Sequence, residues 1–326
     1  MATLNNLILA LVVIFFAMNM GASGLAPAFA APYGGKLIRK LPALALFTVF
    51  VILGAITLGK NVSLTLGKNL LPHTVLTAGA ATAILTAATL SLFLANMLKI
   101  PQSTSQVTVG AVVGAGAYFK HLNCATLFLI IFPMWILLPL LSYLLTHVVY
   151  RGIYPPRHSN LHIYQKIFVH EKKMRFCSLL ASCYVAFAIG SNNVANAVGP
   201  LFGAGIVPIA RGLILIAPLF GIGAWVMGNG PLQTAGSEIV PLGLLSSSLV
   251  CFSTATLLII ASLIGIPQSL VQLNIFSIFA IRSVKDGGHY MLDHRIARKA
   301  LAIWLLTPLL AMGVSYALLG IFSRGR

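Results

Sequence analysis

The sequence predicts an all-α polytopic membrane protein built from two inverted-topology repeats with broken or re-entrant helices. Three observations carry that expectation. Of 326 residues, 59% are hydrophobic and 8% charged, with a mean hydropathy of +0.97; a soluble domain has about 25% charged residues. Apolar runs are long: positions 75–98 hold no formal charge, and about 20 apolar residues suffice to span hydrocarbon. Finally, the tetrapeptide Ile-Pro-Gln-Ser occurs twice, at Ile100–Ser103 and Ile266–Ser269. Each copy follows one apolar run and opens another.

The tetrapeptide is one anchor of a longer duplication. Gly21, in Asn19-Met20-Gly21-Ala22-Ser23-Gly24, pairs with Gly190, in Gly190-Ser191-Asn192-Asn193-Val194-Ala195-Asn196. Trp135 with Pro139 pairs with Trp304 and Pro308. The three anchors lie 169, 166 and 169 positions apart. Two divergent copies of a unit of about 165 residues account for them, an arrangement common among repeat-built membrane proteins.

In chain order, ten apolar segments are expected. The first repeat (1–149) holds 7–31, 41–59, 74–98, 101–119 and 125–149. A basic, hydrophilic linker (150–175) with Pro155-Pro156 follows, too short to fold alone. The second repeat (176–326) holds 176–205, 211–228, 240–264, 267–281 and 300–322. Five crossings is an odd number, so the halves would lie upside down relative to each other. Basic residues collect in cytoplasmic loops. On alternate crossing, fifteen Lys/Arg fall on one side, including six between 151 and 175. Six fall on the other: Lys60, Lys68, Lys120, Arg211, Arg324 and Arg326. The linker is thus expected in the cytoplasm and both termini outside. Where segments are re-entrant and not spanning, two missing crossings would restore the same sides elsewhere.

Several classes are excluded. The net charge of +17 spreads through loops between spans, which fits a polytopic protein and not a nucleic-acid binder. Cys124, Cys177, Cys183 and Cys251 form no Cys-x-x-Cys pair and are expected to be buried free thiols. Leu7–Met18 with Ala28-Phe29-Ala30 imitates a signal peptide, but residues 1–6 hold no Lys or Arg. Residues 1–30 are therefore read as mature sequence. The four acids, Glu171, Glu238, Asp286 and Asp293, fall in loops or at segment ends. His158 and His162 lie in the linker and are expected to be solvated. No paired carboxylates, nucleophile triad or metal-ligand cluster emerges, so neither an enzyme nor a cofactor is expected.

Polar clusters interrupt the apolar pattern. Gly110-x-x-x-Gly114 and Gly199-x-x-x-Gly203 permit close helix approach. Asn192, Asn193 and Asn196 lie between Gly190 and Gly199-Pro200; their amides must meet partners or line a cavity. Pro101 suits a first helical turn, which places Gln102, Ser103, Thr104 and Ser105 at a helix start. Free N–H groups, the dipole and hydroxyl donors there favour an anion. A simple capped helix start is the competing reading. The second copy, Pro267-Gln268-Ser269-Leu270-Val271-Gln272, keeps one hydroxyl.

These motifs resemble the inorganic phosphate transporter (PiT) family. Its signature, Gly-Ala-Asn-Asp-x-Ala-Asn-Ala, is similar to Gly190–Ala197. Its later Pro-x-Ser-Thr-Thr/Ser and Gly-x-x-x-Gly are similar to Pro101–Ser105 with Gly110 and Gly114. Asn193 stands for the family's Asp, and Ser23-Gly24 replaces the Asn-Asp pair in the first copy. These departures resemble the CysP-like sulfate-permease branch. The resemblance implies a secondary oxyanion transporter made of inverted repeats.

Chemistry favours sulfate. It has only acceptor oxygens at neutral pH, so amides, hydroxyls and N–H groups suit it and a carboxylate does not. The expected substrate site is Asn19, Ser23, Ser103, Thr104, Ser105, Asn192, Asn193, Asn196, Gln268 and Ser269, near the midplane. Sulfate or thiosulfate would be imported across a bacterial plasma membrane by alternating access, with a proton or sodium ion as coupling partner. Glu238 is the candidate coupling carboxylate, with loop stabilisation as its competing role. A phosphate transporter and an anion channel are the alternatives. Membrane lipid is an expected partner, and a homodimer is left open.

Overall fold

The computed structural model describes residues 2–97, 102–228, 243–286 and 295–324. They are helical throughout their ordered elements. The first half holds α1 (Ala2–Gly34), α2 (Lys40–Leu58), α3 (Lys60–Leu64), α4 (Ala78–Met97), α5 (Thr104–Phe119) and α6 (Phe132–Ile153). Two π-helical turns interrupt it, Thr65–Asn69 after α3 and Thr126–Ile131 before α6. The linker carries α7 (Leu161–Val169). The second half holds α8 (Glu171–Asn193), α9 (Ala195–Gly203), α10 (Ile209–Met227), α11 (Gly243–Leu263), α12 (Leu270–Asp286) and α13 (Arg295–Arg324).

Eight helical stretches among the described residues are long and apolar enough to cross a membrane. The ten segments expected from sequence thus divide unequally. α5 and α12, at 16 and 17 residues, fall short of the roughly 20 needed. These are the two helices that follow Ile-Pro-Gln-Ser. Each packs against the long helix before it, α5 on α4 and α12 on α11, as a hairpin. The outside of the molecule is apolar: Leu129, Ile136, Leu215 and Leu305 are all exposed. The interior holds many small and polar side chains, the reverse of a soluble protein. This is a multi-pass membrane protein.

The two halves pack by exchange. α1 lies on α10 and α2 on α8; α5 lies on α13 and α6 on α12. Glycines set the first exchange. A Cβ on Gly21 would collide with the Phe220 backbone, and one on Gly190 with the Val51 backbone. Likewise Gly54 abuts Phe187 and Gly223 abuts Met18. Each pair maps onto its mate by the same shift of 169 positions. Without side chains at these points the backbones approach closely, which is how helices associate in lipid. Gly110 and Gly114 meet the backbones of Pro308 and Met312, and Gly199 and Gly203 meet Gly67. Both Gly-x-x-x-Gly runs are therefore contact faces.

The second exchange is unequal. Where α5 meets α13 through bare glycines, α6 grips α12 by side chains. Trp135 Nε1 donates to the Pro267 carbonyl at 2.8 Å, and Ser142 Oγ to the Leu273 carbonyl at 2.9 Å. Thr146 and Ser277 share a hydrogen bond of 2.5 Å. Tyr143 and His147 both reach Ser283, at 3.0 and 3.1 Å.

One expectation needs correction. Cys124 is exposed, because it sits in the turn between α5 and α6 and not inside a span. Cys183 and Cys251 are buried and Cys177 is partly so. The linker is mostly helical, with α6 running to Ile153 and α8 starting at Glu171. Asn160 organises its bend: Oδ1 accepts the Arg157 N–H at 2.6 Å, and Nδ2 serves the carbonyls of Gly152, Ile153 and Pro155.

Candidate substrate site

The Gln-Ser of the repeated tetrapeptide leads into a capped helix both times, while Ile100 and Pro101 lie outside the described residues. Ser103 caps α5, its Oγ accepting the Gln106 N–H at 3.2 Å. Ser269 accepts the Gln272 N–H, also at 3.2 Å. Both are helix starts with an N-cap side chain. In each copy the cap occupies a lone pair on the serine and leaves its hydroxyl hydrogen for another acceptor.

The α8–α9 segment is interrupted at Val194 by a single turn residue that keeps helical dihedrals, φ −61° and ψ −32°. Pro200 can donate no N–H to the helix ladder. The interruption divides the three asparagines by task. Asn192 is fully spent within the second half: Nδ2 donates to Ser262 Oγ and to the Ile266 carbonyl, each at 3.0 Å. Its Oδ1 accepts the Gln268 N–H at 3.0 Å. Asn196 crosses to the first half, with Nδ2 at 3.2 Å from Ser105 Oγ and 3.4 Å from Thr104 Oγ1. Asn193 Oδ1 is buried and unpartnered. The matching stretch of α1 stays helical. There Ser23 Oγ donates to the Met20 carbonyl at 3.0 Å, and Asn19 Nδ2 to the Phe15 carbonyl at 3.1 Å.

A cavity of about 30 Å³ lies where these elements converge. Ser23, Gly24 and Pro27 face it from α1; Gln102, Ser103 and Thr104 from the first hairpin; Asn193 from α8. Leu270 and Val271, the first turn of α12, close it. Four of the residues expected from sequence thus share one cavity: Ser23, Ser103, Thr104 and Asn193. Ser105 and Asn196 bond each other just behind it. Asn19 is buried but points elsewhere, its Oδ1 accepting from Asn96 Nδ2 at 3.3 Å. Asn192 and Ser269 hold the second hairpin tip. Glu238 lies outside the described residues.

Sequence reasoning named Asn193, Asn196 and Gln268 but missed Gln102, Gln106 and Gln272, which complete a set of buried acceptors. Among the described residues, six buried amide oxygens have no partner: those of Gln102, Gln106, Asn193, Asn196, Gln268 and Gln272. Gln102 and Gln268 occupy one repeat position and Gln106 and Gln272 another, each pair 166 apart. The signal was present in the duplicated Pro-Gln-Ser-x-x-Gln spacing. An amide can present oxygen or NH2 by turning over. Gln268, with neither end bonded, is free to present either.

Comparison with known proteins bears on this geometry. A profile of the Phosphate transporter family matches residues 20–315. The sulfate permease CysP of Bacillus subtilis (strain 168) is 37% identical over 316 residues, spanning 95% of this chain and 86% of that protein. Sodium-dependent phosphate transporter 1 of Homo sapiens is 29% identical over 161 residues, 45% of this chain and 23% of that one. Among solved structures, a sodium-dependent phosphate transporter superposes with a TM-score of 0.83. It covers 97% of this chain and 98% of its own, at 22% identity, and so shares the fold.

Proposed function

The chain belongs to the phosphate transporter family, and from that premise we propose that it imports sulfate, or a close analogue such as thiosulfate, by cation-coupled alternating access. The observation that carries the choice of sulfate is the cavity lining. Ser23, Ser103, Thr104 and Asn193 bring hydroxyls and an amide, and no carboxylate faces the cavity among the described residues. Asn193 stands where the family signature has Asp. A carboxylate there would accept the O–H of monohydrogen phosphate; for sulfate it would only repel. The first turns of α5 and α12 both border the cavity, so two helix dipoles favour negative charge there.

A cavity of about 30 Å³ has room for water but is closed off by the residues around it. A tetrahedral oxyanion needs the hairpins to part. The exchanged packing supports two inverted repeats, 1–149 and 176–326, that rock about this point across the 150–175 linker. The basic-residue bias supports a plasma membrane orientation with both termini outside.

Bringing in a dianion against an inside-negative potential costs about 2.3 kcal/mol per charge per 100 mV. Co-transported cations offset that. The six unpartnered amide oxygens offer oxygen ligands for a hard cation such as sodium, and this favours sodium over a carboxylate-borne proton.

Uptake of radiolabelled anion into proteoliposomes tests the reading. Saturable sulfate uptake, accumulated under an imposed sodium gradient, is the expected result. Phosphate uptake that excess sulfate does not compete would replace sulfate by phosphate. Downhill, non-saturating flux would make the protein a channel.

A further inference from the structure

A second and larger cavity, about 390 Å³, lies on the other side of the hairpin tip. Two of its walls are the π-helical turns, Thr65–Asn69 and Thr126–Ile131. Such turns are rare and recur at functional sites. Its inner wall is Ile266, whose carbonyl is the one held by Asn192 at 3.0 Å. One residue therefore separates this cavity from the clamp beside the candidate substrate site. Gly265, at φ +78°, turns the tip inward against Asn61 and Thr65, and Asn61 Nδ2 ties the Leu263 carbonyl at 2.7 Å.

Several donors line this cavity. Lys68 is the one charged residue among the described residues that line it. Asn123 Oδ1 is taken by the Thr126 N–H at 3.1 Å, which leaves its NH2 group to donate. Asn69 reaches Thr65 only at 3.5 Å, a weak contact. The Thr126 hydroxyl completes the set. One ammonium, two amides and a hydroxyl, with no acid beside them, suit a tetrahedral oxyanion.

We propose that this cavity is an extracytoplasmic capture site, where Lys68, Asn69, Asn123 and Thr126 hold a sulfate- or phosphate-type group before it passes the hairpin tip. The proposal rests on the transport reading above with the N-terminus outside, from which the two crossings of α1 and α2 return Lys68 to the external side. Free anion in the external medium is the occupant. An anionic lipid headgroup carries the same chemistry and is separated by the test.

The full chain is reconstituted in phosphatidylcholine vesicles, and in vesicles that also contain phosphatidylglycerol. Uptake of labelled sulfate and of labelled phosphate is followed against concentration, at low and high salt. In phosphatidylcholine at low salt, Lys68→Gln is expected to raise KM about three- to tenfold with an unchanged maximal rate. Lys68→Arg should restore KM, and high salt should shrink the difference. If Lys68→Gln does not insert, Thr126→Val decides, with a rise of about twofold expected. Wild-type KM in the deciding variant overturns the proposal. So does a shift seen only with phosphatidylglycerol, which assigns the cavity to lipid. A wild type that carries neither anion defeats the transport reading itself; transport that Lys68→Gln leaves untouched defeats only the capture site.

Discussion

Asn192 joins the interrupted helix to the tip of the α11–α12 hairpin, its Oδ1 on the Gln268 N–H and its Nδ2 on the Ile266 carbonyl, both at 3.0 Å. Asn192→Leu leaves a buried N–H and a buried carbonyl without this partner. At about 1–3 kcal/mol for each unsatisfied group, the loss should be on the order of 3 kcal/mol. Thermal unfolding in detergent should show a clearly lower midpoint. An unchanged midpoint would mean that the clamp is not needed to hold the tip.

Asn193→Asp returns the family's acid to a cavity that otherwise presents hydroxyls. Sulfate then meets a like charge at short range, in surroundings where water screens poorly. Sulfate uptake should fall at least tenfold, about 1.4 kcal/mol, while competition by phosphate improves. Competition curves for the two anions measure this; an unaltered sulfate preference would remove Asn193 from substrate selection.

Ser103→Ala and Ser269→Ala separate capping from binding. Each loses an N-cap worth about 0.5–2 kcal/mol, because each serine accepts the same hydrogen bond at 3.2 Å. Only Ser103 also faces the cavity. Both variants should lose similar stability, and Ser103→Ala alone should weaken sulfate binding to the purified protein. Equal affinities in the two variants would show that Ser103 serves only as a cap.

Gly21→Ala and Gly190→Ala should fail together. Each methyl would enter the backbone of Phe220 or Val51, and backbone cannot swing aside as a side chain tip can. Overpacking costs about 1–3 kcal/mol where neighbours yield, and more is expected here. Gly313→Ala and Gly152→Ala, with nothing within 4 Å, serve as controls. Yield of folded protein after extraction is the readout; near-normal yield for both test variants would contradict the interlock.

Much of this was legible in the residues. Ile-Pro-Gln-Ser marked two helix starts, and both are capped by the serine in the motif. Glycines and Pro200 pointed to the interruption beside Asn196. The division of labour among the asparagines was not legible, because a clamp and a ligand both require an amide. Asn192 and Asn193 are neighbours in sequence, yet one is spent on the hairpin tip and the other opens on the cavity. Gln106 and Gln272 looked like ordinary polar residues within helices; only burial shows their oxygens unpaired. The shortness of α5 and α12 was partly legible, because Lys120-His121-Leu122-Asn123 closes the first and Arg282, Lys285 and Asp286 close the second. Lys68, in a loop between spans, read as a topology marker, since its cavity is assembled from three distant segments.

The glycine contacts of the two first helices have a consequence for origins. Gly21 and Gly54 find their backbone partners only in the second half, and Gly190 and Gly223 only in the first. A single unit folding by these contacts would leave its bare helix faces uncovered. Its natural state would be a pair of identical chains, each completing the other. Joining two such units through a segment like 150–175 would convert that association from one governed by concentration into one fixed within a single molecule. It would also free the copies to diverge. α6 could then acquire its hydrogen-bonding ladder to α12 while α5 and α13 kept their smooth glycine seam, an inequality that identical subunits cannot encode.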